Sequence, residues 1–285
     1  MRIEFWGVRG SIASPGPDTA AVGGNTSCVE VVCGSTRLIL DAGTGARKLG
    51  DRLLAEAAKT GGAVEATLLL SHLHWDHIQG LPFFVPAYVP TTKLDIVSPA
   101  NAIMPIRDAL AHQMSAPVFP VHLDELGARI GLRELKSGDG LMVGEARVRC
   151  VRLNHPGGVH AYRIDHAGKS VVYATDTEHY ACVDPALLRL AEGADVLIYD
   201  SQYTPEEYRG DGGRPKVGWG HSTYVAGAEI ARAAGVGQYV LFHHDPTRTD
   251  AGVLDLERRA RDLFPGSVAA REGMVIEPGA VAAAA

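Results

Sequence analysis

Short apolar runs recur along the chain, each closed by glycine, proline or a polar cluster. Runs of this length rich in Val, Ile and Leu predict strands rather than helices. Residues 2–6 read as the first strand, and 28–33 with 36–40 as a hairpin about Gly34-Ser35. Residues 66–70, apolar but for Thr67, read as a buried strand stopped at Ser71. A second β series is expected at 129–135, 141–143, 146–153, 160–164 and 170–174, and further strands at 194–199, 238–242, 267–269 and 274–276. Helical spacing shows at 44–59, with Leu49, Leu53 and Leu54 on one face, Thr44 as cap and Gly61-Gly62 as stop. Other helices are expected at 102–114, at 184–191, from Ser222 or Thr223 to about 234, and from Thr249 or Asp250 to 263. Prolines break 78–121 into short pieces, and 206–219 reads as a glycine-rich polar loop. No composition break divides the chain. One domain over 1–278 is expected, with two β-rich halves able to stack and a frayed tail at 279–285.

The residues that carry chemistry fall where apolar runs end. His72-Leu73-His74-Trp75-Asp76-His77 follows the strand at 66–70. Neutral imidazole and carboxylate are the ligand set of zinc, manganese or iron. His72 and His74 can converge on one ion while Asp76 and His77 face a neighbouring one. Three more such clusters lie past later strands: Asn154-His155-Pro156, Thr175-Asp176-Thr177 and His243-His244-Asp245-Pro246. Asp176 offers two acceptor oxygens and can bridge. Asp245 is placed to orient His243 or His244. His221, in Gly220-His221-Ser222-Thr223, precedes a helix whose dipole depresses its pKa, so a carboxylate is needed to hold its proton; Asp200 is the candidate. Asp41 is expected to orient the histidine loop. Arg9 and Asn25 stand in short polar turns, either lining a substrate cleft or only shaping the turn. His112 stands alone and reads as a surface or core-satisfied histidine.

H-x-H-x-D-H after an apolar strand resembles the signature of the metallo-β-lactamase superfamily. Gly7–Ser11, Asn25-Thr26-Ser27 and Asp41–Gly45 resemble, in order, the G-x-x-G-S, N-T-S and D-x-G-x-G turns of its ribonuclease Z-like members. The resemblance covers nearly the whole chain. It implies an α/β fold, an αββα sandwich of one domain with metals at one edge. It also implies two divalent ions, zinc first with manganese or iron as alternatives. His72, His74 and His155 would hold one ion and Asp76, His77 and His243 the other, with Asp176 bridging. His244 is the alternative last ligand or a substrate contact. The Gly-His-Ser-Thr stretch resembles the H-x-[ST] element of the phosphodiesterases in this group, which makes His221 the proton donor to the leaving oxygen. Asp76 and His221 are thus the expected catalytic residues. The opening at 5–11 together with 242–246 resembles the phosphoribosyl cyclic phosphodiesterase branch, where homodimers are common; the apolar pieces of 78–121 read as ordinary core, or else form the interface or wall the site.

The composition narrows the partners. A net charge of −6 argues against a broad phosphate-binding surface, so extended nucleic acid is not expected and a small phosphodiester is. The expected substrate is a cyclic nucleotide or sugar cyclic phosphate. The alternatives are tRNA processing of the ribonuclease Z type, lactone or carboxyl-ester hydrolysis on the same metals, and a non-catalytic binding protein. Four cysteines without a C-x-x-C pair suit reduced thiols. With no basic-then-apolar leader and no membrane-length apolar run, a cytoplasmic protein is expected.

Overall fold

The structure, a computed structural model, describes residues 1–101 and 103–279, so the expected tail lies outside the described residues beyond Gly279. The chain opens on β1 (Arg2–Gly7) and the hairpin of β2 (Cys28–Cys33) and β3 (Thr36–Leu40). Gly34 turns the hairpin at φ 60°, in the left-handed region that glycine enters without penalty. Then come α1 (Gly45–Thr60), β4 (Glu65–Leu69), the one-turn α2 (Trp75–Ile78), β5 (Lys93–Pro99), α3 (Ile106–Gln113) and β6 (Arg129–Leu135). The second half runs β7 (Gly140–Val143), β8 (Ala146–Leu153), β9 (Val159–His166), β10 (Lys169–Ala174), α4 (Pro185–Ala191) and β11 (Val196–Asp200). It ends with α5 (Pro205–Arg209), α6 (Tyr224–Ala234), β12 (Gln238–Phe242), α7 (Asp250–Leu263), β13 (Ser267–Ala269) and β14 (Val275–Ile276).

Two seven-stranded sheets result, in the orders β14-β1-β2-β3-β4-β5-β6 and β13-β12-β11-β10-β9-β8-β7. Each half begins antiparallel and finishes parallel: β3 to β6 and β10 to β13 are parallel runs. Parallel neighbours need long crossovers, and α1, α4, α6 and α7 supply them. The strand period sorts side chains between layers. Leu38 and Leu40 of β3 enter the core between the sheets, where they meet Val148, Tyr162 and Tyr173. Ile39 points the other way, into a second core with Leu49 and Leu53 of α1 and Ile106 and Leu110 of α3. Helices α4, α6 and α7 cover the outer face of the second sheet through Leu187, Ile230 and Leu256. This is the expected αββα sandwich in one domain. Among the described residues no helix is long and apolar enough to cross a membrane.

Local chemistry accounts for most element ends. Asp184, Thr223 and Thr249 cap α4, α6 and α7 through side-chain oxygens. Three expectations fail. Thr44 does not cap α1; its Oγ1 accepts from the Thr26 amide, tying the turn after β3 to the start of β2. The helix expected at 102–114 begins only at Ile106, because proline disfavours the helical state in the residue before it and Pro105 holds the boundary. The 206–219 loop is preceded and entered by α5, which a capping box between Thr204 and Glu207 opens and Gly210 ends. In the proline-rich segment Leu81, Phe84 and Ala87 are core, while Phe83 and Val85 are exposed.

Candidate active site

Four parallel strands deliver their following loops to one edge of the sandwich, the position where open parallel sheets place ligands. β3 leads to Asp41, β4 to residues 71–77, β10 to Asp176 and β12 to His243; β8 adds His155, and β11 with the start of α6 adds Asp200 and His221. Asp41, Asp176 and His243 hold φ of 60°, 51° and 61°, a region non-glycine residues seldom occupy and one that gathers at functional sites.

The ring nitrogens and carboxylates fall into two groups. His72, His74 and His155 form one; Asp76, His77, Asp176 and His243 form the other; within each, the ligand-type atoms lie within 4.8 Å of one another. Asp176 spans both. Its Oδ1 is 3.2 Å from Nε2 of His77 and of His243, and its Oδ2 is 3.8 Å from His72 Nε2 and 4.0 Å from His155 Nε2. Asp76 Oδ2 lies 3.1 Å from His77 Nε2 and 3.2 Å from His243 Nε2, and accepts from the Ser11 amide.

Hydrogen bonds behind the rings set which nitrogen faces inward. His77 Nδ1 donates to Asp41 (2.7 Å), His155 Nδ1 to the Gly220 carbonyl (2.8 Å) and His243 Nδ1 to Gln202 (3.0 Å). Ser71 gives its only proton to Asp41, so it accepts from His72 Nδ1 at 3.0 Å. Four Nε2 atoms are thereby left as inward lone pairs, as metal-binding histidines require. His74 presents Nδ1 instead, 3.0 Å from His155 Nε2.

The residues fit a divalent cation. His72 Nε2 and His77 Nε2 are buried without a hydrogen-bond partner, an expense that a bound ion removes. Burial pushes His72, His74 and His155 below the usual histidine pKa, which keeps them neutral and able to ligate. At His77 burial acts the same way but is outweighed by Asp176, Asp76 and Asp41, which draw positive charge to that point.

His221 stands beside this cluster, its ring stacked on His243 at 5.0 Å between centroids. Its Nδ1 donates to Asp200 Oδ2 at 2.8 Å, the expected carboxylate. Burial opposes charge on the ring, but Asp200, then Asp176 and Asp76, raise its pKa to about 9.

For Arg9 and Asn25 the turn-shaping alternative holds, and neither His244 nor Asp245 serves the cluster. Arg9 is fully buried and donates to the carbonyls of Gly23, Asp245 and Arg248, so it shapes the turn and does not line a cleft. Asn25 spends its amide on Glu272. His244 is buried and bonded to the Ala270 carbonyl, with burial pushing its pKa down to about 3; His243, not His244, faces the cluster. Asp245 orients neither ring and accepts from Thr247 instead. Asp41 does what was expected of it, accepting from the Ser71 amide and hydroxyl, the Tyr173 hydroxyl and His77. Two supporting residues carry no motif that marks them in the sequence. Gln202 orients His243, and its place two residues past β11, beside Asp200, was the available signal. Glu178 accepts from the amides of Gly218 and Gly220 and from the Tyr208 hydroxyl, pinning the loop that carries His221.

The Beta-lactamase superfamily domain matches residues 36–244. A ribonuclease Z of Haloarcula marismortui is 25% identical over 325 aligned positions, covering 96% of either chain. Among solved structures, the metallo-β-lactamase fold protein YhfI from Bacillus subtilis superposes with a TM-score of 0.70 at 21% identity, covering 96% of this chain and 98% of that one. The human short-form tRNase Z gives 0.69 at 18% identity, covering 98% and 99%.

Proposed function

The chain belongs to the β-lactamase superfamily and is a metal-dependent hydrolase of that fold, and from this premise we propose that it cleaves a phosphodiester with His221 as the acid for the leaving oxygen. The observation that carries the reading is the His221–Asp200 pair set against the seven convergent residues. We assign His72, His74 and His155 to one ion and Asp76, His77 and His243 to a second, with Asp176 shared. A donor set of imidazole and carboxylate without thiolate favours zinc and admits manganese or iron. Two such ions activate water near neutral pH and neutralise charge on a phosphoryl oxygen. Ser11 and Asp41 hold Asp76 and His77 in place, and Gly220 and Gln202 hold His155 and His243. With Nδ1 committed to Asp200, His221 has Nε2 from which to protonate the departing alkoxide. The raised pKa keeps that proton available at neutral pH.

The substrate reading is a compact diester, a cyclic nucleotide or sugar cyclic phosphate. Two features support it. The 209–220 loop is short and tied down by Glu178, with Arg209 paired to Asp211 and Lys216 lying over the Trp219 ring. A cleft of about 310 Å³ beside His72 has the volume of a small ligand. Extended nucleic acid was not expected from the charge, yet the relative matched over 96% of its length is named a ribonuclease. Cleavage of RNA is therefore the second reading. Initial rates of the metal-loaded protein on 3′,5′-cyclic AMP, 2′,3′-cyclic AMP, a sugar cyclic phosphate, precursor tRNA and an acyl lactone separate them. Turnover confined to cyclic diesters supports the first reading, turnover of tRNA the second, and turnover of the lactone alone removes both.

The exposed Phe83, Val85 and Val118 of the proline-rich segment support a homodimer through that face. Sedimentation as a monomer at micromolar concentration would remove it.

A further inference from the structure

The inner face of the β8–β9 ladder is apolar until its last rung. Val148 opposes Ile164, and Cys150 opposes Tyr162, all four inside the core between the sheets. Two residues further toward the active-site edge the same face presents Arg152 opposite His160. Residues directly opposite in an antiparallel pair on one face sit side by side. On this face the apolar ladder therefore ends in an exposed cation beside a buried imidazole, where another apolar pair would have continued it.

This rung opens into the cleft beside His72, which Arg152 and His160 line together with Pro99, Gly158 and Leu73. The ladder is anchored here: the His160 amide donates to the Ser71 carbonyl, one residue from His72. His160 is 4% exposed, and its Nδ1 is buried without a hydrogen-bond partner. Burial and then Arg152 lower its pKa to about 4, so it is a neutral ring. Among the described residues Arg152 makes no ion pair, whereas Arg149 and Arg163 on the same ladder both hold Asp165. Gly158 lets the β8–β9 turn lie against the guanidinium; a Cβ there would stand 3.0 Å from Arg152 Nε.

An unpaired guanidinium and a neutral ring with an unused polar atom suit an oxyanion, and a guanidinium can grip phosphate with two parallel hydrogen bonds. We propose that the Arg152–His160 rung is a subsite for a second phosphate of the substrate, on the His72 side of the metal cluster. The proposal rests on the phosphodiesterase reading and narrows it. The substrate would be a diester that also carries another phosphate, either terminal on a small molecule or the next link of a strand. A plain cyclic mononucleotide would leave the subsite empty.

The test is calorimetric titration of the zinc-loaded protein with adenosine 5′-monophosphate, adenosine 3′,5′-bisphosphate and the trinucleotide ApApA. Wild-type protein should bind the bisphosphate, the trinucleotide or both at least ~10-fold more tightly than the monophosphate, and Arg152→Ala should bring them within ~2-fold, as loss of a bidentate phosphate contact predicts. Arg152 is exposed, so the variant is expected to fold, and its thermal transition is checked alongside. Arg152-dependent gain for the bisphosphate supports a terminal phosphate; gain for the trinucleotide alone supports a strand. Equal affinities in wild type, or a preference that survives Arg152→Ala, would overturn the subsite. Hydrolysis of bis(p-nitrophenyl) phosphate, which has one phosphate, is measured separately. Its absence would count against the phosphodiesterase reading while leaving the binding preference to be judged alone.

Discussion

At the scale of single residues, His221 carries the sharpest prediction. If it protonates the leaving oxygen, its removal matters only where that oxygen leaves poorly. His221→Ala should lower kcat on an alkoxide-leaving diester by about 10²–10⁴-fold and scarcely affect p-nitrophenolate release, since general acid help is worth that much. Equal losses on both substrates would make His221 a structural residue. A second prediction concerns Gly10. A Cβ there would come within 2.4 Å of the His243 ring, so Gly10→Ala must displace either the ring or the turn. Metal content measured by mass spectrometry should fall from two ions toward one per chain; two retained ions would show that the turn yields instead. The histidine and aspartate positions were legible because several ligand types fell just past strand ends. For Arg9 and Asn25 the turn-shaping alternative holds, and His244 yields to His243, for a physical reason the sequence does not display. Polarity in a turn does not tell which way the side chain points, and all three turn inward to bond carbonyls or Glu272 that come from distant parts of the chain.

At the scale of elements, strand positions could be read almost to the residue where β-branched runs ended in glycine or a polar cluster, as in β2, β3, β6, β8 and β12. What could not be read was pairing. No local signal sets Arg152 against His160, because that contact depends on the register of β8 and β9. The register has a measurable consequence. His160 is neutral in the fold with a pKa lowered to about 4, while an unfolded histidine titrates near 6.5. Below 6.5 the unfolded chain takes up a proton that the folded ring refuses, so stability falls as pH drops from about 6.5 to about 4 and levels off beneath that. Above 6.5 both states are neutral and the ring contributes nothing. The charged groups acting on it are Arg152, which reinforces the effect, and Asp139, which opposes it. The loss is on the order of 3 kcal/mol by pH 4. Urea titrations of wild type and His160→Leu across pH 4–7 should show a shallower acid slope in the variant; parallel slopes would mean that the ring is protonated in the fold.

At the scale of the whole molecule, the two halves of the chain share one site. His72, His74, Asp76 and His77 follow a strand of the first sheet, while His155, Asp176 and His243 follow strands of the second. Ions held there would tie the sheets together at the open edge of the sandwich, where the apolar core between them gives way to buried carboxylates and imidazoles. Without ions, the carboxylates of Asp41, Asp76 and Asp176 gather close to one point, and His77 and the neighbouring His221 are drawn toward the charged form against burial to offset them. Metal removal should therefore lower stability as well as activity. A ligand that binds only the folded state at a thousandfold excess over its Kd adds roughly 4 kcal/mol. For a chain of this size that corresponds to a Tm shift on the order of 10 °C. Dialysis against a chelator should lower the transition by about that much, and stoichiometric zinc should restore it. His155→Ala, which removes a proposed ligand contributed by the second sheet, should show a smaller recovery than wild type while keeping a cooperative transition. An unchanged Tm after verified removal of the metal would mean that the sheets are held by their apolar core alone and that the ions serve only the reaction.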